Sequence, residues 1–340
     1  MPFISIVSGC FNEEENVDEL YRQVRDAIAS IPDCTYEHIF IDNASTDRTV
    51  ERLRALAAHD RNVKVIVNTR NFGHIRSPYH ALLQARGDAV IGMASDLQDP
   101  PSLIPELVRK WASGYKVVMA VKPESDGGWL TSRLRRAYYD ILGRMSNIKL
   151  TKNFTGFGIY DQSVIEILRT IDDPYPYFRG LVADLGFEAA TIEFRQPKRK
   201  HGITHNNFFT LYDLAMLGLT SYSKVPLRLA TMLGFLMALS SFLVAMGYLV
   251  MKLLFWYRFS FGQAPLLIGI FFLGSVQLLF IGLIGEYIGA IHTHVQRRPL
   301  VIEKERINFD AIDAAAAAPR TAPDRTLPHY VRGDRTGTQD

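Results

Sequence analysis

The sequence predicts an α/β domain with a mostly parallel sheet, followed by a hairpin of two membrane-spanning helices. Residues 1–195 alternate short apolar runs with amphipathic stretches of helical periodicity. Two long uncharged segments follow, Leu229–Met251 and Phe259–Gly285. Each is longer than the ~20 residues that an α-helix needs to cross the core of a bilayer. Two buried helices of a soluble domain are the alternative for these segments.

The composition bounds the class of protein. The 340 residues include 38 Lys and Arg against 35 Asp and Glu, a formal net charge of +3. This small charge argues against a nucleic-acid partner along the whole chain. The two cysteines, Cys10 and Cys34, imply no disulfide framework. Residues 2–7 lack the basic region of a signal peptide, so we expect the first half of the chain to stay in the cytoplasm.

Short apolar runs predict five strands in the first part of the chain. They are Phe3–Val7, Tyr36–Ile41, Val63–Val67, Ala89–Met93 and Lys116–Val121. Apolar residues recur on one helical face in the segments between the runs, as with Val17, Leu20, Val24 and Ile28 in the first. The predicted helices are Glu13–Ser30, Asp47–Ala58, Pro78–Ala85 and Ser102–Ala112. This alternating order predicts a parallel sheet with helices on both faces.

Polar residues collect where the strands end. They are Asn12 and Glu13 after the first strand, Asp42 and Asp47 after the second, Arg70 and Asn71 after the third, and Asp96, Gln98 and Asp99 after the fourth. Ligands of open α/β sheets bind at this edge. Carboxylate and amide oxygens suit Mg²⁺ or Mn²⁺ carrying a phosphate group. The alternative for the fourth loop is an acidic turn that caps the next helix.

A dinucleotide-binding Rossmann dehydrogenase is the rival fold. It is disfavoured because Ser8–Asn12 has one glycine where the dinucleotide fingerprint has three. The polar segments instead resemble motifs of family 2 glycosyltransferases with the GT-A fold. The matching segments are Ile6–Glu15, Asp42–Asp47, Asn71–Gly73 and Asp96–Pro101. With the membrane hairpin included, the chain resembles the polyprenyl-phosphate glycosyltransferase group.

The resemblance implies a division of the chain. Residues 1–200 would be a GT-A, Rossmann-like, nucleotide-sugar-binding domain with an acceptor loop. Residues 201–225 would form a juxtamembrane amphipathic helix, and residues 226–292 two transmembrane helices. Residues 293–340 would be a cytoplasmic tail that is disordered from about residue 310, where alanines and prolines dominate.

The resemblance also assigns roles on the donor side. Glu13, Asp42, Asn71 and Asp96 would bind the nucleotide. Asp96 and Gln98 would hold the Mg²⁺ or Mn²⁺ ion that bridges the donor's diphosphate.

The sequence departs from the family pattern at several of these positions. Gly9 replaces a proline, Phe11 a tyrosine and Asn43 the second acid of its motif. Ala94 stands where the family often has a further acid, two residues before Asp96. The metal would therefore have fewer protein ligands, or be bound more weakly.

The family's usual catalytic base, an aspartate before a phenylalanine, is also missing. Gly156 occupies that position, or Asn153 in another register, and neither can take a proton. We predict Asp184 as an acid on the acceptor side, with Asp161 as the second candidate. The alternative for either is a helix cap or a surface acid.

Basic residues are candidates for the acceptor phosphate. Arg133 belongs to a predicted basic helix with an apolar stripe, Trp129–Ser146, and Arg199 to the dense basic run 195–202. The resemblance implies that Arg195 and Arg199 face phosphates, which arginine binds in bidentate fashion, and Arg179 is a further candidate. The alternatives are solvated surface arginines and a topology signal.

The distribution of basic residues predicts the orientation in the membrane. Asn207–Ser223 is expected to lie along the membrane surface. Lysines and arginines are dense before the first span and after the second, whereas Lys252 and Arg258 alone lie between them. The positive-inside rule then puts both termini and the catalytic domain in the cytoplasm of a multi-pass inner-membrane protein. Glycines in the second span are compatible with a homo-oligomer.

These features lead to one functional hypothesis. The chain is expected to move a hexose from UDP- or GDP-sugar to polyprenyl phosphate, giving a lipid-linked sugar for modification of cell-envelope glycans. A polysaccharide synthase is one alternative, although its Gln-x-x-Arg-Trp motif is absent. A catalytically weak membrane subunit is the other, because of Ala94 and Gly156.

Overall fold

The computed structural model describes residues 1–122, 151, 153–197, 216–217, 225–255 and 263–309. Several predictions fall outside these ranges: the basic helix 129–146 with Arg133, the basic residue Arg199, nearly all of the surface helix 207–223, and the tail from residue 310. The division of the chain into four regions stays a prediction.

The described strands form one eight-stranded sheet in the order β7-β5-β6-β4-β1-β2-β3-β8. The strands are β1 Phe3–Cys10, β2 Thr35–Asp42, β3 Val63–Asn68, β4 Ala89–Ala94, β5 Val117–Val121, β6 Phe154–Asp161, β7 Ala189–Glu193 and β8 Glu303–Ile307. The five predicted strands are confirmed, and β6, β7 and β8 are additions. β1 pairs in parallel with β2 and β4, and β2 with β3, whereas β6 runs antiparallel to β4.

Helices cover both faces of the sheet. They are α1 Val17–Ala29, α2 Thr49–His59, α3 Gly73–Gln84, α4 Ile104–Ala112, α5 Gln162–Thr170, α6 Phe178–Asp184, α7 Val225–Leu254 and α8 Gln263–Val295. The apolar face predicted for the first helix is buried against the sheet through Val17, Leu20, Val24 and Ile28. Strands covered on both sides read as nearly continuous apolar runs, which is why the central strands were visible in the sequence.

Helix α3 begins five residues before its predicted start at Pro78. A proline inside a helix lacks the N–H that bonds to the carbonyl four residues back, and this favoured a later start. Side-chain amides fix the earlier one, because the Phe72 N–H donates to Asn43 Oδ1 and the Gly73 N–H to Asn71 Oδ1, both at 2.8 Å. Loop residues thus begin the helix at the ligand edge of the sheet.

The chain returns to the sheet after the second long helix, which the sequence analysis missed. β8 pairs antiparallel with the edge strand β3, with Val65 opposite Ile307. The Thr69 N–H donates to the carbonyl of Ile302 at 2.9 Å. The Asn308 side chain donates to the carbonyls of Ala57 and Val63 at 2.7 and 2.8 Å. These bonds tie the end of α8 to the α/β domain and cover a sheet edge.

Glu303 supplies a pH-sensitive contact of β8. Its carboxylate lies 2.5 Å from His80 Nε2 and also accepts hydrogen bonds from Arg306. Partial burial raises the pKa of Glu303, but the bonds from His80 and Arg306 outweigh burial and lower it to about 2. A depressed carboxyl pKa stabilises the fold above the unfolded value of 4.5, and this contribution is lost as the pH falls towards 2.

We therefore expect Glu303→Gln to lower the melting temperature of the purified protein near pH 6. The deficit relative to wild type should shrink as the pH falls from about 5 to 2.5, because the unfolded wild-type chain binds a proton at Glu303 below its pKa of 4.5 while the folded chain keeps the carboxylate ionised until about 2. Thermal unfolding of both proteins across this range measures it. A deficit that stays constant with pH would contradict the assignment.

Helices α7 and α8 are long and apolar enough to cross a membrane. The qualifying segments are Val225–Val244 and Phe272–Val295, with mean hydropathy 1.8 and 1.5. Neither segment is buried inside the structure, and large apolar side chains such as Phe235 and Leu278 are exposed. In the structure these segments are therefore not buried, unlike the helices of the soluble-domain alternative.

Candidate active site

Four parallel strand ends form one edge of the sheet, as the sequence predicts. In the register of the sheet Cys10 is opposite Asp42, Asp42 is opposite Val67, and Gly9 is opposite Ala94. The loops that follow β1, β2, β3 and β4 are therefore neighbours. They carry the acids and amides expected to bind the nucleotide and the metal.

Asp42 is fully buried at the end of β2. Its carboxylate accepts hydrogen bonds from the Ser45 N–H at 3.0 Å and the Ser45 hydroxyl at 2.5 Å. Burial raises the pKa of Asp42, against the effect of these bonds. These bonds hold the side chain in one orientation at the ligand edge of the sheet.

The loop after β1 is tied to the loop after β2. The Asn12 N–H donates to the Ser45 hydroxyl at 2.9 Å, and Asn12 Oδ1 accepts from the Thr46 N–H at 2.8 Å. The Glu13 N–H donates to the Thr49 hydroxyl at 2.8 Å, which fixes the backbone of Glu13 beside Asp42. The two nucleotide-binding acids predicted from the sequence thus belong to one hydrogen-bonded unit.

Asn43 joins the loops after β2 and β3. Its amide nitrogen donates to Asn71 Oδ1 at 2.8 Å and to the Gly73 carbonyl at 3.2 Å. Its amide oxygen accepts from the Phe72 N–H and from Asn68 Nδ2. An acid, the family's residue at this position, could accept but not donate. Asn43, which differs from the family's acid, therefore uses both its amide nitrogen and its amide oxygen in this network.

Asn68 is a member of this network that the sequence analysis missed. It is buried at the end of β3 and also donates to the Ser77 hydroxyl of α3 at 2.9 Å. The signal in the sequence was a polar residue at the end of an apolar strand, two residues before Arg70.

The loop after β4 holds the predicted metal ligands. Asp96 is 6% exposed, and its Oδ1 accepts from the Gln98 N–H at 3.1 Å. Leu97 between them has a φ of +59°, a left-handed conformation that turns the loop sharply. The Ser95 hydroxyl donates to the Gly9 carbonyl at 2.7 Å, which fixes the loop to β1. The Asp96 carboxylate and the backbone of this loop are therefore fixed relative to β1.

Asp99 closes the same loop from inside. It is 7% exposed, and its Oδ2 accepts from the Ala94 N–H at 2.9 Å. Burial raises the pKa of Asp99 to about 6, with a further contribution from neighbouring Asp96. Asp99 braces the loop through this bond, and among the described residues no side chain caps the helix that follows, so the alternative of an acidic turn capping the next helix is not what the structure shows.

The donor set fits a divalent metal that is held mainly by its substrate. Within the described parts of the chain, no three His, Cys, Asp or Glu side chains are close enough to form a metal cluster. With alanine at position 94, the Asp96 carboxylate and the Gln98 amide are the predicted oxygen ligands of this loop. Mg²⁺ commonly binds through one or two carboxylates together with substrate phosphates and waters. The loop matches that arrangement.

The two acids predicted for the acceptor side lie apart. Asp184 is exposed at the last turn of α6. Asp161 is opposite Ala89, the first residue of β4, and so lies at the far edge of the sheet from Asp96. It caps α5 by accepting from the Ser163 N–H, and bonds from Ser163, Trp111 and Lys116 outweigh partial burial and lower its pKa to about 2. The structure does not bring Asp161 to the crevice.

Gly156 has a backbone conformation that suits glycine. Its φ is +108°, where a side chain would be strained, and its carbonyl accepts from the Tyr160 hydroxyl at 2.7 Å. The other register, Asn153, also has a positive φ, of 59°. The missing base at position 156 is thus accompanied by a fold that does not favour any side chain there.

Of the four predicted phosphate-binding arginines, the structure describes two, Arg179 and Arg195. Arg179 donates to the Phe154 carbonyl at 3.2 Å and lies 5.3 Å from the Tyr177 ring centroid. Desolvation and the charge of Arg179 lower the pKa of His74 at the start of α3. Arg195 is exposed just after β7. Arg179 therefore reaches the ligand edge through α6, while Arg133 and Arg199 are outside the described residues.

Known proteins resemble the chain over most of its length. The model of Glycosyl transferase family 2 matches residues 5–168. The SfII prophage-derived bactoprenol glucosyl transferase of Shigella flexneri is 35% identical over 89% of this chain and 97% of its own length. An uncharacterized glycosyltransferase of Synechocystis is 33% identical over 88% of this chain and 94% of its own.

A solved structure is a more distant neighbour. Glucosyl-3-phosphoglycerate synthase from Mycobacterium tuberculosis, in complex with Mg²⁺ and uridine diphosphate, is 22% identical. The match covers 64% of this chain and 77% of that one, with a TM-score of 0.45. This likeness is too distant to transfer roles to individual residues.

Proposed function

Because the chain belongs to glycosyl transferase family 2, we propose that it transfers a hexose from a nucleotide sugar to polyprenyl phosphate at the cytoplasmic face of the inner membrane. The observation that carries the proposal is the buried loop of Asp96 and Gln98 at the edge where four strand ends meet. The bactoprenol glucosyl transferase of Shigella flexneri supports the polyprenyl acceptor. The lipid-linked product would serve modification of cell-envelope glycans.

The donor nucleotide, UDP or GDP, would lie across the ends of β1, β2 and β3. Glu13 and Asp42 would contact the base and ribose, and Asn71 would border them. Asp96 and Gln98 would hold Mg²⁺ or Mn²⁺ on the diphosphate. When bound, the ion would stabilise the charge that develops on the leaving nucleotide. The rigid hydrogen bonding of Asp42 and Asp96 supports these roles, because fixed acceptors need no reorganisation on binding.

The acceptor phosphate is an anion and needs little help from a base. The glycine at position 156 is compatible with this chemistry, since no proton has to leave a phosphate oxygen that is already ionised. Asp184 remains the proposed acid on the acceptor side. We assign no catalytic role to Asp161, because it caps α5 at the opposite sheet edge. Arg179 and Arg195, with Arg133 and Arg199, would attract the lipid phosphate.

The two apolar helices would anchor the catalytic domain beside its lipid substrate. Both termini and the domain would face the cytoplasm, in keeping with the density of lysine and arginine on either side of the hairpin. The return of β8 to the sheet supports this topology, because both ends of the hairpin must then lie on the same side of the membrane as the sheet.

A catalytically weak membrane subunit is the second candidate function. Two observations favour it. Ala94 lacks a carboxylate, and Gly156 has a positive φ that would be strained for an aspartate. Transfer assays decide between the two functions.

The deciding experiment uses detergent-purified full-length protein. It is given undecaprenyl phosphate, Mn²⁺ or Mg²⁺, and a panel of labelled UDP- and GDP-sugars, and the lipid phase is extracted. We expect label in the lipid from one donor and none after chelation of the metal. A folded protein that binds nucleotide but labels no lipid from any donor would contradict the proposal and favour the weak subunit.

A further inference from the structure

Three arginines meet beside the start of α3, where the second long helix returns to the domain. The Arg70 guanidinium lies 4.0 Å from the centroid of the Phe72 ring, and the Arg76 guanidinium lies 5.4 Å from the same centroid. Arg76 donates to the carbonyl of Pro299, the residue that follows Arg298. We call Arg70, Arg76 and Arg298 the arginine cluster.

The charge of the arginine cluster is not balanced within the described residues. None of its three guanidiniums lies at ion-pair distance from a carboxylate there. The nearby acid Asp173 faces His294 instead, at 3.4 Å. Arg76 Nε is buried without a hydrogen-bond partner. Burial, Arg70 and Arg298 all lower the pKa of Arg76. Like charges brought together cost free energy unless an anion compensates them.

The arginine cluster lies between the end of the apolar segment of α8 and the ligand edge of the sheet. The membrane-spanning segment of α8 ends at Val295, three residues before Arg298. Arg70 follows β3 and precedes Asn71, which belongs to the network at the ligand edge. A group bound by all three arginines would therefore be at the depth of lipid headgroups and next to the donor site.

We propose that Arg70, Arg76 and Arg298 bind the phosphate monoester of a membrane lipid. Guanidinium groups match phosphate oxygens in bidentate fashion, and a monoester carries up to two charges where a phospholipid diester carries one. The identity of the lipid rests on the proposed function, whose acceptor, polyprenyl phosphate, is such a monoester. None of these arginines is among those that the sequence analysis assigned to the acceptor, so the proposal adds three residues to the contacts of that phosphate.

Direct lipid binding tests this inference without requiring turnover. Full-length protein is placed in phosphatidylcholine nanodiscs that contain undecaprenyl phosphate, phosphatidylglycerol or neither, and bound lipids are counted by native mass spectrometry. The test variant is Arg70→Gln with Arg298→Gln, which leaves the bond between Arg76 and Pro299 in place. Arg297→Gln is the matched control, because it removes a neighbouring charge at the same membrane boundary.

We expect the double variant to bind undecaprenyl phosphate at least about tenfold more weakly, since each lost charged hydrogen bond is of that order. Arg297→Gln should bind as wild type does, and all proteins should bind UDP equally. Unchanged lipid binding in the double variant would overturn the site and leave the proposed function standing. Loss of phosphatidylglycerol binding alone, or of UDP binding alone, would overturn it in favour of a phosphodiester headgroup or the donor. Absence of binding by wild type would overturn site and function together.

Discussion

Asp96→Asn is expected to lower the rate of sugar transfer by about a thousandfold. Asp96 is the carboxylate of the loop after β4 that we propose as the metal ligand, since Asp99 accepts from the Ala94 N–H and Ala94 stands where the family often has a further acid. With Asp96 as the only proposed protein ligand that is charged, the affinity for the metal should depend strongly on its negative charge. Losing several kcal/mol of stabilisation of the leaving diphosphate corresponds to about three powers of ten in rate.

The measurement is the rate constant kcat together with UDP affinity in the presence and absence of Mn²⁺. The wild-type affinity should rise with Mn²⁺, and that of Asp96→Asn should respond weakly. Asp99→Asn is the matched control, since an amide oxygen can still accept from the Ala94 N–H and keep the loop in place. Its rate should fall far less. Equal loss in both variants would show that Asp96 acts by positioning the loop rather than by holding the metal.

The sequence predicted the central part of the fold because parallel strands are buried on both faces. Val63–Asn68 and Ala89–Ala94 are nearly unbroken apolar runs, so length and flanking residues sufficed to find them. β6 was missed because its two glycines weaken the strand pattern, and β8 because its charged residues look like a solvated tail. Both depend on a partner strand far away in the sequence, which local patterns do not reveal.

Some residues of the candidate site could likewise be predicted from the sequence, and others could not. The acids and amides after β1 to β4 could be grouped from the sequence, because consecutive parallel strands end at one edge. Asp161 could not be placed, since its position depends on β6 running antiparallel to β4. The reason for a glycine at position 9 could not be read from the sequence either. A side chain at Gly9 would put a Cβ 2.8 Å from Cγ of Pro78, so the absence of the family's proline at position 9 accompanies a proline in α3.

Asn43→Asp, which restores the family's acid, is expected to destabilise the protein rather than improve it. The amide nitrogen of Asn43 donates to Asn71 Oδ1 and to the Gly73 carbonyl, and a carboxylate would face both oxygens without a proton. Rotating the Asn71 amide does not help, because its oxygen also accepts from the Gly73 N–H. Two broken hydrogen bonds and a buried charge near acceptors cost about 2–4 kcal/mol of unfolding free energy.

The expected result is a melting temperature lower by about 5–10 °C and weaker UDP binding, because the loops after β2 and β3 would separate. Asn12→Asp is the matched control. Its Oδ1 accepts from the Thr46 N–H, and an aspartate keeps that bond, so its melting temperature should change little despite the same added charge. If Asn43→Asp were as stable as Asn12→Asp, the network would have to tolerate a carboxylate at its centre. The asparagine at position 43 would then be explained by contacts with the ligand and not by hydrogen bonds between the loops.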